Sequence, residues 1–239
     1  PAPRVSRKAS VVVKAQAFAP PTLSTTKANF LQKYSKPISA VYNTVIQELL
    51  SQQHFMRYSV KYSYNPVHAL GVVSVFEQIL EAIPEDERNA IFDAYIGALG
   101  EDAAMYRNDA AELEAAVSGL PEGGLSPEAV PALAAVAEKA SSGDFYYCKF
   151  FAIGLFRMLE LAGAKEPKAL ESLVKGLGVN AEAVNKDLTQ YKSILSKLSA
   201  AKELMAEFLA REKKKQAERE AEKAARAAKS SEGGDSSEE

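Results

Sequence analysis

The sequence predicts an all-α fold, a compact helical bundle with a long projecting C-terminal helix. Three observations carry this reading. Apolar residues recur at helical spacing through most of the chain, and Pro, Gly and capping residues punctuate them at helix-length intervals. Past Leu209 the chain is rich in Ala, Glu, Lys and Arg, which favour helix yet leave nothing to bury. Alternation is limited to residues 60–64, and one isolated extended piece makes no sheet.

Ala19-Pro20-Pro21-Thr22 reads as a linker into the domain, because two prolines cannot join a helix interior. Ser24 or Thr25 is then placed to cap a short helix reaching about Tyr34. Pro37 suits the first turn of a longer one, and Ile38, Val41, Tyr42, Val45, Ile46, Leu49 and Leu50 form its buried stripe. Asn65 before Pro66 predicts a capped helix through about Ile83, apolar over most of its circumference and therefore central. Pro84 with Glu85, Asp86 and Glu87 opens the next, the acids complementing the positive end of the helix dipole, and Gly100 closes it. Another helix follows to about Ala116. Gly119, Pro121, Gly123 and Gly124 mark a loop. Ser126-Pro127-Glu128 is expected to open a helix to about Ala140, and Asp144 to cap a second central helix over residues 145–162. A short helix over 167–175 and a long one beginning at a cap on Asn180 complete the set. In that last helix Tyr191, Ile194, Leu198, Ala201, Met205 and Phe208 recur at 3-4 spacing, the seam of a short coiled coil.

With 239 residues and 47% hydrophobic content the chain can bury a real core. A formal net charge of -2 supplies no field that would draw the whole molecule onto nucleic acid or anionic lipid. Cys148 is the single cysteine, so an intrachain disulfide and a multi-cysteine zinc site are excluded. No apolar run approaches the roughly 20 residues that span a bilayer. Charge is unevenly placed: no Asp or Glu precedes Glu48. Residues 1–17, with Arg4, Arg7, Lys8, Lys14, Ser6 and Ser10, have the composition of an organellar transit peptide, cleaved near Ala15 or Ala17. The expected organisation is thus a transit peptide at 1–17, a helical domain at 18–209, a projecting charged helix at 210–229 and a disordered acidic tail at 230–239.

The sequence holds no recognisable catalytic, cofactor-binding or metal-ligating set. His54 and His68 have no His or Cys three or four residues away, so each reads as structural. Cys148 lies among Phe145, Tyr146, Tyr147, Phe150 and Phe151, which suits a buried, inert thiol. Gly123-Gly124 lacks the Gly-Lys-Ser/Thr of a phosphate loop, and no nucleophile elbow or His-Glu-x-x-His is present. The reading is of a protein that is no enzyme, with no cofactor and no small-molecule substrate. What stands out is the basic run Arg211, Lys213, Lys214, Lys215 and Arg219, a candidate partner-binding surface. Interleaved glutamates and the lack of aromatics argue against nucleic acid, and the loss of the apolar face beyond Leu209 argues against a hydrophobic anchor. A protein partner fits better.

Several blocks resemble one family. Pro20-Pro21-Thr22, Lys27, Asn29-Phe30, Pro37-Ile38 and Val41-Tyr42 resemble the opening of the Thylakoid Formation proteins, also called photosystem II biogenesis proteins. So do Tyr64-Asn65-Pro66 with Ala69-Leu70-Gly71-Val72-Val73, then Phe150-Phe151-Ala152-Ile153-Gly154-Leu155-Phe156-Arg157, and later Asp187-Leu188, Tyr191 and Leu195-Ser196-Lys197-Leu198. The resemblance implies an all-helical accessory protein of the chloroplast, in the stroma and peripheral at the thylakoid membrane. It implies work in thylakoid membrane organisation and photosystem II assembly and repair, as adaptor or stabiliser of an FtsH-type membrane protease and with photosystem II-related proteins as partners. The alternative is a peripheral lipid- or vesicle-binding module acting directly in thylakoid formation.

Overall fold

The computed structural model describes residues 19–121, 123–164 and 166–232, with backbone only from 224 onward. Both the expected transit peptide at 1–17 and most of the expected tail, from 233, lie outside the described residues. Among those described, the chain forms nine α-helices and no strand. They are α1 (Leu23–Lys33), α2 (Ala40–Arg57), α3 (Pro66–Ile79), α4 (Glu85–Ala98), α5 (Ala103–Ser118), α6 (Pro131–Ser142), α7 (Lys149–Leu161), α8 (Pro167–Gly176) and α9 (Ala181–Glu232).

Local chemistry explains most boundaries. Asn65 Oδ1 accepts from the His68 N–H at 2.8 Å, satisfying a donor the first turn of α3 leaves open, while Pro66 sits where no N–H is needed. Asn180 caps α9 in the same way, through the Ala183 N–H at 3.0 Å. Glu85, Asp86 and Glu87 occupy the first turn of α4, and Gly100, at φ 73°, turns the chain out of it.

Four expectations are corrected. The cap of α1 is Thr22, whose hydroxyl accepts from the Thr25 N–H at 3.1 Å, rather than Ser24 or Thr25. α2 begins at Ala40, not around Pro37, because the Ser39 carbonyl takes the first N–H groups, from Tyr42 and Asn43 at 3.0 and 2.9 Å. Ser126 to Ala129 make only a turn, and Pro131 is itself the first residue of α6. Asp144 caps nothing. Residues 145–148 stay non-helical because their side chains have partners elsewhere: Phe145 packs edge-on against Phe151 at 4.8 Å, and Tyr147 Oη donates to Asp187 at 2.7 Å.

The centre of the bundle is α3 against α7, with α5 covering α3 and α9 covering α7. α1 packs on α4, and α2 links α1 to α9. Leu70, Val72, Phe151, Leu155 and Met158 are fully buried between the two central helices and their neighbours. α3 and α7 cross at Gly71 and Gly154. A Cβ on Gly71 would overlap the Phe150 carbonyl oxygen, and one on Gly154 would overlap that of Val67. Glycine on both sides is what lets the two backbones touch.

Candidate functional site

Two places gather unusual side chains, one buried and one exposed. The buried one surrounds His68, whose ring is enclosed by Tyr62, Tyr106 and Phe150 at centroid distances of 6.1, 5.9 and 5.7 Å. His68 Nδ1 lies 3.3 Å from Cys148 Sγ, although 80 residues separate them. Both groups are neutral. Burial drives the imidazole down to about 3 and the thiol up to about 12. A reactive cysteine needs a thiolate beside an imidazolium, and here desolvation opposes both charges at once. His68 and Cys148 are packing partners in a low-dielectric corner. His54 is separate, its Nδ1 2.8 Å from the Thr26 hydroxyl.

Beside this pair runs a polar chain with one carboxylate at its hub. Glu101 pairs with Arg57 at 2.6 Å and accepts from Tyr106 at 2.6 Å and Tyr62 at 3.3 Å. Gln53 extends the chain, donating toward Tyr106 at 3.5 Å and accepting from Tyr95 at 2.9 Å. Burial raises the pKa of all three phenols, so each remains a donor at any physiological pH. The network ties α2, α3's approach and α5 together. We expect Glu101→Ala to cost about 2 kcal/mol, below the range for a fully buried pair because Arg57 is one-third exposed. Glu101→Gln, which keeps an acceptor, should cost about half of that. Urea unfolding of the three proteins measures the difference.

The exposed place is α9. Its first part is held to the body: Tyr191 and Leu198 are buried, Tyr191 Oη donates to Gln78 at 2.8 Å, and Lys202 pairs with Glu81 at 3.0 Å. Beyond Lys202 contact with the body ends. Leu204, Met205, Phe208 and Leu209 are 67%, 41%, 58% and 52% exposed. The helical arm therefore starts before the expected boundary at 209, and the second half of the 3-4 seam has nothing packed on it. α9 also continues through Glu232, past the expected end at 229.

The five basic candidates all lie on this arm. Arg211 pairs with Glu207 at 3.4 Å, Lys215 with Glu212 at 3.3 Å and Lys214 with Glu218 at 4.0 Å. Lys213 and Arg219 have no ion pair among the described residues. These pairs lie three or four residues apart on one exposed helix, so each contributes only a few tenths of a kcal/mol and leaves its charge available. The structure thus sets the basic run directly after a bare apolar stripe. Met205 and Phe208 continue the 3-4 seam, and Leu204 and Leu209, outside that spacing, sit beside them on the same face and widen it.

Among the described residues no group of three or more His, Cys, Asp or Glu is arranged to hold a metal ion. Among the described residues no helix is long and apolar enough to cross a membrane.

Comparison with known proteins gives one consistent result. The family model described as Thylakoid formation protein matches residues 22–220. Protein THYLAKOID FORMATION1, chloroplastic, of Oryza sativa subsp. japonica is 46% identical over 224 residues, covering 90% of this chain and 78% of that protein. Protein THYLAKOID FORMATION 1, chloroplastic, of Arabidopsis thaliana is 47% identical over 209 residues, covering 83% and 69%. The cyanobacterial Protein Thf1 of Nostoc punctiforme is 34% identical over 218 residues, covering 83% and 92%. Among solved structures, that of Psb29 superposes with a TM-score of 0.69 at 29% identity, covering 83% of this chain and 100% of its own.

Proposed function

The chain belongs to the thylakoid formation protein family, and from that premise we propose that it is a chloroplast accessory protein of thylakoid and photosystem II biogenesis. It works without catalysis, in the stroma and at the thylakoid surface, as an adaptor or stabiliser of an FtsH-type membrane protease during photosystem II assembly and repair. Photosystem II-related proteins are its other partners. The observation that carries the adaptor role is the arm: a continuous helix leaves the body after Lys202 with an exposed apolar stripe followed by a basic run. The names of the relatives and of Psb29 support the chloroplast and photosystem II setting. The neutral His68–Cys148 pair supports a role without covalent chemistry.

Co-purification from thylakoids tests the proposal, using the full chain and a version ending at Leu209. We expect the full chain to retain the protease and the shortened one to lose most of it. Retention unchanged by the truncation would remove the basic run from the mechanism. A bilayer-binding reading draws on the same basic run. It predicts flotation with anionic vesicles at low salt, where attraction is least screened, and falls if none is seen.

A further inference from the structure

α2 runs antiparallel to α9. Leu49 lines one groove with Tyr191 and Ile194, whereas Val41 and Val45 line the adjoining one with Leu198 and Ala201. The second groove is open, about 400 Å³ in volume, and its α2 wall is half-buried valine. Because α2 starts at Ala40, it supplies no residue opposite α9 beyond Lys202. Met205 and Phe208 nevertheless continue the register of Leu198 and Ala201. Leu204 and Leu209 flank them, so the exposed stripe spans about 140° at 3.6 residues per turn. Groove and stripe form a single notch: one wall of α9, with α2 as the floor upstream and an exposed stripe downstream.

The orientation of that notch limits what can fill it. Its stripe lies on the side of α9 that faces the body, since Tyr191 and Leu198 on the same line are buried there. A flat bilayer approaching that side meets the body before it meets Phe208. A single helix, about 10 Å across, meets no such obstacle. The charges around the notch select among helices. Lys202 and Lys213 lie along one edge of the stripe and Arg211 along the other, while Lys197 and Lys215 border it above and below. Glu203 projects from the opposite face of α9, and Glu207 lies beside Arg211 at the border. The acids near the notch are Glu48, which accepts from Gln52 at 3.0 Å, and Glu81, Glu207 and Glu212, paired with Lys202, Arg211 and Lys215 at 3.0, 3.4 and 3.3 Å, so Lys197 and Lys213 are the bordering cations with no ion pair among the described residues. Past Phe208 the seam positions become Glu212, Lys215 and Arg219, so apolar contact stops within two turns of the body.

We propose that this notch docks an amphipathic helix of a partner protein, one whose apolar stripe is bordered by carboxylates. The proposal rests on the adaptor reading above and shifts its anchor point from the basic run to the apolar notch, with the basic residues selecting the partner by charge. Apolar knobs of the incoming helix fill the space between Val41, Val45, Ala201, Met205 and Phe208, and its acids meet Lys197 and Lys213.

Two synthetic helical peptides with the same leucine heptads provide the test, one flanked by glutamates and the other by lysines. Fluorescence anisotropy against the full chain should show the glutamate peptide binding at least about ten-fold more tightly, with the difference shrinking as salt rises. Met205→Asp with Phe208→Asp, and separately Val41→Asp, should each weaken it about ten-fold or more. Ala210→Asp, on the far face of the arm, should leave it within about two-fold. Far-UV circular dichroism establishes that each variant is folded, and the arm positions are exposed enough to tolerate the change. Equal binding of both peptides, or binding untouched by the 205/208 change, overturns the proposal. Binding to phosphatidylglycerol vesicles that the 205/208 change abolishes also overturns it, making a bilayer the occupant. The peptides require no protease: selective binding in a chain that fails to retain the protease from thylakoids supports the notch while refuting the adaptor role.

Discussion

Alanine at Gly71 or at Gly154 is expected to destabilise the protein by at least about 3 kcal/mol at either position, although each lies mid-helix where alanine is the better helix former. Intrinsic propensity favours the substitution by only about 1 kcal/mol. Against it stands a carbonyl oxygen: that of Phe150 for Gly71, and that of Val67 for Gly154. A flexible side chain would swing aside, but a carbonyl held in a helix moves only with the helix. α3 and α7 would have to separate, and the loss would spread along the most extensive helix pair in the bundle, loosening buried Leu70, Phe151 and Leu155. Thermal melting should show the effect as a drop of roughly 6–12 °C, using about 2–4 °C per kcal/mol for a domain of this size. Gly176→Ala is the control: a Cβ there meets nothing within 4 Å, and that variant should be neutral or slightly stabilising. Melting points for Gly71→Ala and Gly154→Ala within about 2 °C of the parent would mean that the central crossing is looser than described.

These glycines illustrate what the sequence could convey. Local chemistry was legible: Asn65 and Asn180 as caps, the three acids at the start of α4 and Gly100 at its end all follow from backbone groups within one turn. The all-helical class followed from periodicity, punctuation and composition, and the central place of α3 from its apolar circumference. Tertiary partners were not legible. α7 begins four residues later than Asp144 suggests because Phe145 and Tyr147 are held by Phe151 and Asp187, which no spacing rule connects. The His68–Cys148 pair left no signal, since metal and catalytic patterns are sought over a few residues and this one spans 80. At the candidate site the division is sharper. The 3-4 seam through Phe208 could be read, as could the basic run after it. Which half of the seam stays bare depends in part on where α2 begins, expected near Pro37 but found at Ala40. A shift of less than one helical turn in one element thus contributes to exposing an apolar surface on another.

Burial of His68 should make the protein progressively less stable as the pH falls below about 6.5. Its ring is enclosed by Tyr62, Tyr106, Phe150 and Cys148, none of which carries a charge at neutral pH, and its Nε2 has no hydrogen-bond partner among the described residues. Desolvation therefore lowers its pKa from 6.5 to about 3 in the folded chain. The sign follows from proton uptake. Below pH 6.5 the unfolded chain binds a proton at this site that the folded chain refuses until about pH 3, so acid favours unfolding throughout that window. The stabilisation is complete above the unfolded value. It is lost at up to about 1.4 kcal/mol per pH unit, approaching 4–5 kcal/mol, on the order of a whole domain's marginal stability. Glu77, whose pKa burial raises, tilts the curve the opposite way, and His54, lowered by burial, tilts it the same way. A difference measurement cancels both. Urea unfolding of the parent and of His68→Gln from about pH 7 to about pH 4 should give a parent curve steeper by nearly one proton, even though the variant starts less stable from lost packing. Parallel curves would mean that His68 is hydrated or protonated in the folded state. The neutral corner around Cys148 would then have to be redrawn, because an imidazolium 3.3 Å from a sulfur favours the thiolate.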